Sequence, residues 1–169
     1  MTSHTIRPER PEDRQQISDI TLAAFATVPY GDGNEADIIH GLRAAGDLKW
    51  SFVAENGQGD IIGQISISPA AVGDDTIGWY GIGPIAVRPD HVKQGIGTAL
   101  MQEGIAAMTK AGAKGVVLAG DPAYYSRFGF RNDTGATYLD VPQIYVHKLV
   151  LNGPDAYGAL TFAPALRGA

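Results

Sequence analysis

The spacing of apolar residues changes several times along the chain, and each change marks an element. Residues 5–8 read as a short opening strand, after which Pro11-Glu12-Asp13 opens a helix with proline in its first turn and carboxylates favoured by the helix dipole. Ile17, Ile20 and Ala24 share one face of that helix, which ends by Val28-Pro29. Beyond the turn-rich Tyr30-Gly31-Asp32-Gly33, a second helix is expected from Asn34 or Glu35 to Ala45, with Ile38, Leu42 and Ala45 at helical spacing.

The period then drops to two. Residues 50–55, 61–68 and 77–88 read as strands separated by the turns Gly57-Gln58-Gly59-Asp60 and Gly73-Asp74-Asp75, an antiparallel meander. Ile61, Gly63, Ile65 and Ile67 alternate with Gln64, Ser66 and Ser68, which predicts one buried and one solvated sheet face. The third strand contains Gly78, Gly81, Gly83 and Pro84, residues that inside a strand mark a bulge or a close backbone approach.

Helical spacing returns over residues 95–111, with Ile96, Leu100, Gly104, Ala107, Met108 and Ala111 on one face and Gly112 in the C-cap region. The short apolar run 115–119 follows; its length and the preceding crossover helix predict parallel pairing and a β-α-β unit. Asp121 then reads as the N-cap of a short helix with Pro122 at its first position, ending before Gly129. Residues 138–139 and 144–151 read as further strands, and His147 as a strand residue with a satisfied ring. The tail, 152–169, carries one apolar patch, Leu160-Thr161-Phe162, suited to an edge strand or to lying over the surface.

Composition narrows the function classes. With 169 residues, 44% of them apolar and 18% charged, the chain has the size and balance of one soluble domain, and no apolar run reaches membrane-spanning length. The first residues lack a hydrophobic signal region, and the absence of cysteine excludes disulfides, thiolate metal sites and a cysteine nucleophile, so a cytoplasmic location is expected. A net charge of −5 argues against a nucleic-acid partner. A polyanionic ligand would need local attraction, for which Arg88, His91 and Lys93 are clustered candidates.

The candidate chemistry lies between Ile85 and Met101, where an apolar strand broken by Pro89 passes through a polar loop into a helix opening on Gly95-Ile96-Gly97. A helix start presents N–H groups without intrahelical partners and partial positive charge, so it can hold a phosphate without any particular side chain. Glycines at 95 and 97 let phosphates approach the main chain. A Walker A loop would need Lys after the last glycine, where Thr98-Ala99 stands; a dinucleotide fingerprint would need Gly or Ala at Leu100, and its look-alike at Gly81 has Pro84 inside a strand.

The remaining pattern resembles the acyl-CoA loop of the GNAT superfamily of N-acetyltransferases, in particular bacterial acetyltransferases. A strand ending in Val-x-Pro is followed by [Arg/Gln]-x-x-Gly-x-[Gly/Ala], matched here by Val87, Pro89, Gly95, Ile96 and Gly97. The match departs at Val92, where the family usually has Arg or Gln. Gly120-Asp121-Pro122-Ala123-Tyr124-Tyr125-Ser126-Arg127-Phe128-Gly129-Phe130 resembles the second hallmark, Tyr-x-x-x-Gly-Phe, with Tyr125, Gly129 and Phe130 in register.

The resemblance implies an α/β (α+β) fold over residues 4–151, a mixed and mostly antiparallel sheet with a bulged strand and flanking helices, followed by the tail. It implies acetyl-CoA as cosubstrate and no metal. The pantetheine arm would pair with the backbone of Ile85, Ala86 and Val87, and the pyrophosphate would lie on the loop of Val92, Lys93, Gln94, Gly95, Ile96, Gly97 and Thr98. Tyr125 would serve as general acid to the departing thiolate, with the neighbouring Tyr124 open to the same role; no carboxylate or histidine stands at a motif position that fixes a base. The two-helix segment after the first strand walls the acceptor pocket in this family, making Tyr30 and Glu35 candidate substrate contacts, although singly they also fit a loop aromatic and a solvated first-turn acid. The acceptor would be a primary amine on a small molecule or peptide; no membrane or nucleic-acid partner is implied, and a homodimer is a candidate assembly. A non-catalytic module that binds an acyl-CoA shares the loop but needs no Tyr125.

Overall fold

The computed structural model describes residues 4–27 and 33–167. Its elements, in order, are β1 (His4–Pro8), α1 (Arg14–Phe25), α2 (Glu35–Ala45), β2 (Trp50–Asn56), β3 (Ile61–Val72), β4 (Asp75–Val87), α3 (Ile96–Lys110), β5 (Gly115–Ala119), α4 (Pro122–Tyr125), β6 (Ala136–Thr137), β7 (Val146–Val150) and β8 (Gly158–Phe162). The sheet runs β1-β2-β3-β4-β5-β7, with β8 paired to the far end of β3 and to β6. All pairings are antiparallel except β4–β5 and β6–β8.

Helices cover both faces of the sheet. On one side Ile96, Leu100, Met101 and Met108 of α3 pack with Phe52, Ile65 and Ile67. Small residues set the approach: a Cβ on Gly63 would sit 2.9 Å from the Ile96 side chain, and one on Gly104 2.9 Å from Ile67. On the other side Ile17, Ile20 and Ile39 of α1 and α2 pack with Val53 and Ile61.

This double cover corrects the expectation of one solvated face. Gln64, Ser66 and Ser68 are fully buried, and two of them share a hydrogen-bonded seam that offsets the cost of taking polar groups out of water. Gln64 Nε2 donates to Ser51 Oγ at 2.9 Å and to Ser66 Oγ at 2.8 Å, and Ser51 Oγ donates to Glu9 Oε1 at 2.8 Å. Glu9 in turn accepts from Arg43 of α2 at 2.8 Å.

Other expectations shift by one position. In α2 the buried face is Ala36, Ile39 and Leu42, while Ile38 is half-buried and Ala45 exposed, because Ile39 packs with Ile17, Ile20, Val53 and Ile61. In α1 Thr21 is buried and Ala24 only half-buried; the Thr21 hydroxyl spends its polarity on the Ile17 carbonyl at 2.6 Å. Ala111 is exposed just past the end of α3, and Gly112 follows at φ 79°. Tyr138 and Leu139 fall outside β6, with Leu139 81% exposed at φ 47°. Residues 143–145 form a 3-10 turn, so β7 starts only at Val146. The short β6 pairs β8, and the tail strand adds to β3 through Ala70↔Phe162 and Val72↔Leu160. Lys148, inside an apolar strand, is buried; it donates to the Ala156 carbonyl at 2.6 Å and pairs with Asp155 at 2.7 Å.

An ion cluster built on the buried Asp13 ties β1 to the start of α1. Arg7 makes two parallel bonds to Asp13, at 2.7 and 3.0 Å, and donates to Glu55 at 3.2 Å. The Arg7 guanidinium holds the Asp13 carboxyl below the usual carboxylate range; burial opposes this, and the Arg10 N–H assists it. A depressed folded-state pKa contributes stability above the ordinary carboxylate value of about 4, and that stability is lost as pH falls through the lower folded value. Removing one partner of a buried pair costs about 3–5 kcal/mol. Asp13→Asn should therefore destabilise the fold by about that much at pH 7, with the gap to wild type narrowing below pH ~4. Urea denaturation at several pH values checks this, and a gap unchanged down to pH ~3 would contradict it.

Candidate active site

The site begins where β4 leaves β5. The two strands pair only through Trp79↔Gly115, Tyr80↔Val116 and Gly81↔Val117. From Ile82 to Val87, β4 pairs with β3 alone, so among the described residues its other edge carries no strand. The cause is local. Ile65 faces Ile85 while Ile67 faces Ile82, which places an extra residue in β4 opposite Ser66, at Gly83-Pro84. Pro84 has no N–H to give to a ladder, and the bulge bends the strand away from its neighbour. Ile85 and Val87 are half-buried beside the open edge, and Ala86 is buried.

The open edge leads into the loop. After a 3-10 turn, Pro89–His91, Val92, Lys93 and Gln94 are exposed, and Lys93 takes φ 63°. Gly95 precedes α3 at φ 81°, a conformation that disfavours any Cβ, and nothing lies within 4 Å of where that Cβ would be. The first intrahelical bond is Ala99 N–H to the Gly95 carbonyl at 3.0 Å, so the leading amides of Ile96, Gly97 and Thr98 lie ahead of the ladder, and no side chain caps them. Ile96 itself points into the core, 1% exposed; only its backbone can serve a ligand.

The expected cluster of cations is largely engaged. Arg88 Nε and His91 Nδ1 both donate to Asp90 Oδ1 at 2.8 Å. Arg88 first and His91 second hold the Asp90 carboxyl at about 2.

The second motif lies beside the start of α3. Asp121 caps α4 by accepting from the Ala123 N–H at 3.0 Å, with Pro122 at the first position, and Gly129 ends the following 3-10 turn at φ 91°. The two tyrosines diverge. Tyr124 reaches across to α3: its hydroxyl lies 2.8 Å from where a Gly97 Cβ would be, and burial pushes its phenol up while the Arg127 charge opposes. Tyr125 packs against Gly120, where β5 turns into α4, with ring centroids 6.0 Å from Phe130 and 5.8 Å from His147. His147 is half of what was expected: its ring donates from Nε2 to the Gly120 carbonyl at 2.9 Å, while Nδ1 is buried without a hydrogen-bond partner.

Of the acceptor-side residues, Tyr30 lies outside the described residues. Glu35 is buried rather than solvated, and its carboxylate accepts from the Gly33 N–H at 3.2 Å, organising the entry to α2. Among the described residues no cluster of His, Cys, Asp or Glu is arranged to hold a metal, and no helix is long and apolar enough to cross a membrane. The structure thus brings together the open edge of β4, the amide-lined start of α3 and Tyr124, while Tyr125 sits at the end of β5. Sequence reasoning missed Arg127, which joins α4 to α3, because that contact spans two elements and no local pattern signals it.

The comparisons agree with this geometry. A family model described as "Acetyltransferase (GNAT) domain" matches residues 48–132, the stretch from β2 through the second motif. The chain is 36% identical over 125 residues to an uncharacterized N-acetyltransferase, YhbS, of Escherichia coli K12, covering 74% of this chain and 72% of that protein. A GNAT family acetyltransferase from Brucella melitensis, solved in complex with acetyl-CoA, superposes with a TM-score of 0.85 at 38% identity over 97% of this chain and 98% of its own. Escherichia coli YhbS, solved in complex with CoA, superposes with a TM-score of 0.89 at 28% identity over 99% of this chain and 93% of its own. The bulged strand, the glycine loop and the tyrosine motif, together with these likenesses, place the chain in the GNAT family of acetyltransferases, to which it belongs.

Proposed function

We propose that the chain transfers an acetyl group from acetyl-CoA to a primary amine, on a small molecule or a peptide, by direct attack within a ternary complex in the cytoplasm. The observation that carries this is the unpaired edge of β4 running straight into the amide-lined start of α3. The edge offers main-chain N–H and C=O groups to which an amide-bearing pantetheine arm can add like a strand, and the helix start suits a pyrophosphate. Nothing lies within 4 Å of where a Gly95 Cβ would stand, so the main chain there is open to approach.

The donor thioester is already activated, so the protein's work is to orient the amine, stabilise charge on the carbonyl oxygen and supply a proton to the leaving sulfur. Main-chain N–H groups near Ile85 and Ala86 polarise the carbonyl. Tyr125, at the corner of β5 and α4, donates its phenolic proton to the departing thiolate as the C–S bond breaks, and the proton given up by the attacking nitrogen passes to solvent, from which the phenolate is reprotonated. Tyr124, turned toward Gly97, belongs to the phosphate end. Glu35 shapes the acceptor side by holding the turn that enters α2.

Acetyl-CoA should stabilise the fold. At a concentration ~100-fold above its dissociation constant, linkage contributes about 2.7 kcal/mol, a clear rise in melting temperature. No rise with either acetyl-CoA or CoA at millimolar concentration would contradict the proposal.

A further inference from the structure

We propose that Arg127 is a phosphate ligand for CoA, supplying from α4's extension the cation that the glycine loop lacks at Val92; the inference rests on the acetyl-CoA reading above. Three observations support it. Arg127 Nη2 donates to Thr98 Oγ1 at 2.7 Å, which holds the guanidinium beside the third residue of α3 and next to the uncapped amides of Ile96, Gly97 and Thr98. The guanidinium is held in place: its carbon lies 5.1 Å from the Tyr124 ring centroid and 5.5 Å from that of Phe128, so little rotamer freedom remains to be lost on binding. It is nonetheless exposed, and the bond to Thr98 occupies one of its five N–H donors.

The charge balance points the same way. A protein of net charge −5 that binds a polyanion needs cations at the phosphates themselves. Arg88 and His91 are engaged by Asp90, Val92 is apolar and half-exposed, and Lys93 projects from an exposed loop. Arg127 is the cation that the fold carries to the helix start, 29 residues further along the chain than Thr98. Thr98 accepts from Arg127 and keeps its own hydroxyl proton to donate, so the pair presents N–H and O–H donors to the same phosphate.

The test is calorimetric titration of wild type, Arg127→Gln and Arg127→Lys with CoA, 3′-dephospho-CoA and pantetheine. Gln keeps a side-chain N–H for Thr98 and loses the charge. A charge-assisted bond is worth roughly 10- to 100-fold in affinity, so Arg127→Gln should weaken CoA binding by about that factor, with Lys recovering part of it and the loss shrinking as salt rises. Pantetheine, which carries no phosphate, should bind both proteins equally. A loss retained with 3′-dephospho-CoA assigns the contact to the pyrophosphate, and one that disappears assigns it to the 3′-phosphate; either supports the proposal. Unchanged CoA affinity in Arg127→Gln, or an equal loss with pantetheine, would overturn it and leave Arg127 as a clamp between α4 and α3. A wild-type protein that binds no CoA would overturn the acetyl-CoA reading together with it.

Discussion

Tyr125→Phe should lower turnover by ~10²–10⁴-fold, the usual contribution of a positioned general acid, while acetyl-CoA affinity stays near wild type. The substitution removes one hydroxyl and keeps the ring. The edge-on packing with Tyr124 at 5.0 Å and with Phe130 at 6.0 Å is therefore preserved. Tyr124→Phe is the control, and the structure separates the two residues: Tyr124 faces Gly97 at the start of α3, and Tyr125 faces Gly120 at the end of β5. Loss of the Tyr124 hydroxyl should disturb affinity more than turnover. A Tyr125→Phe enzyme with unchanged turnover would remove the general-acid assignment, and a turnover loss confined to Tyr124→Phe would transfer it to that residue.

Gly97→Val should abolish acetyl-CoA binding, whereas Val92→Arg should change it little. At Gly97 the first added carbon would lie 2.8 Å from the Tyr124 hydroxyl and 3.8 Å from Val87, and the branched side chain extends further into the start of α3. It would displace the Tyr124 hydroxyl and crowd the amides offered to the phosphate. Val92 is half-exposed in the loop, and with main-chain N–H groups and Arg127 already at the start of α3, an added guanidinium there has little to improve. The thermal titration with acetyl-CoA reads both variants: full stabilisation in Val92→Arg and none in Gly97→Val is expected. Equal effects would mean that the phosphate lies elsewhere.

Much of this site was legible because its signals are local. Pro84 and the glycines of β4 announce the bulge, Gly95 and Gly97 the helix start, and Asp121-Pro122 the cap of α4, each within a few residues of what it controls. The polar residues of β3 misled, since alternation of Ile with Gln64, Ser66 and Ser68 normally means solvent on one side. Here α1 and α2 cover that side, and Gln64 satisfies its amide nitrogen through Ser51 and Ser66, a solution set by tertiary packing. Ile38 and Ile39 are adjacent and equally apolar, and which of them is buried is decided by how α2 packs against α1 and the sheet. The carboxylate that engages Arg88 and His91 stands between them in the sequence at Asp90, and simple charge adjacency indicates it. The pairing of β8 with β3 and the bond from Arg127 to Thr98 join distant segments, and no local period encodes them.

The central claim, acetyl transfer to an amine, is tested most directly by following CoA release from the protein saturated with acetyl-CoA while a mixed panel of small-molecule and peptide amines is added. Amine-dependent release of CoA, well above the rate without amine and strongly reduced in Tyr125→Phe, is the expected result. Tight acetyl-CoA binding with no amine-dependent release across the panel would contradict it and identify a module that binds an acyl-CoA without turning it over.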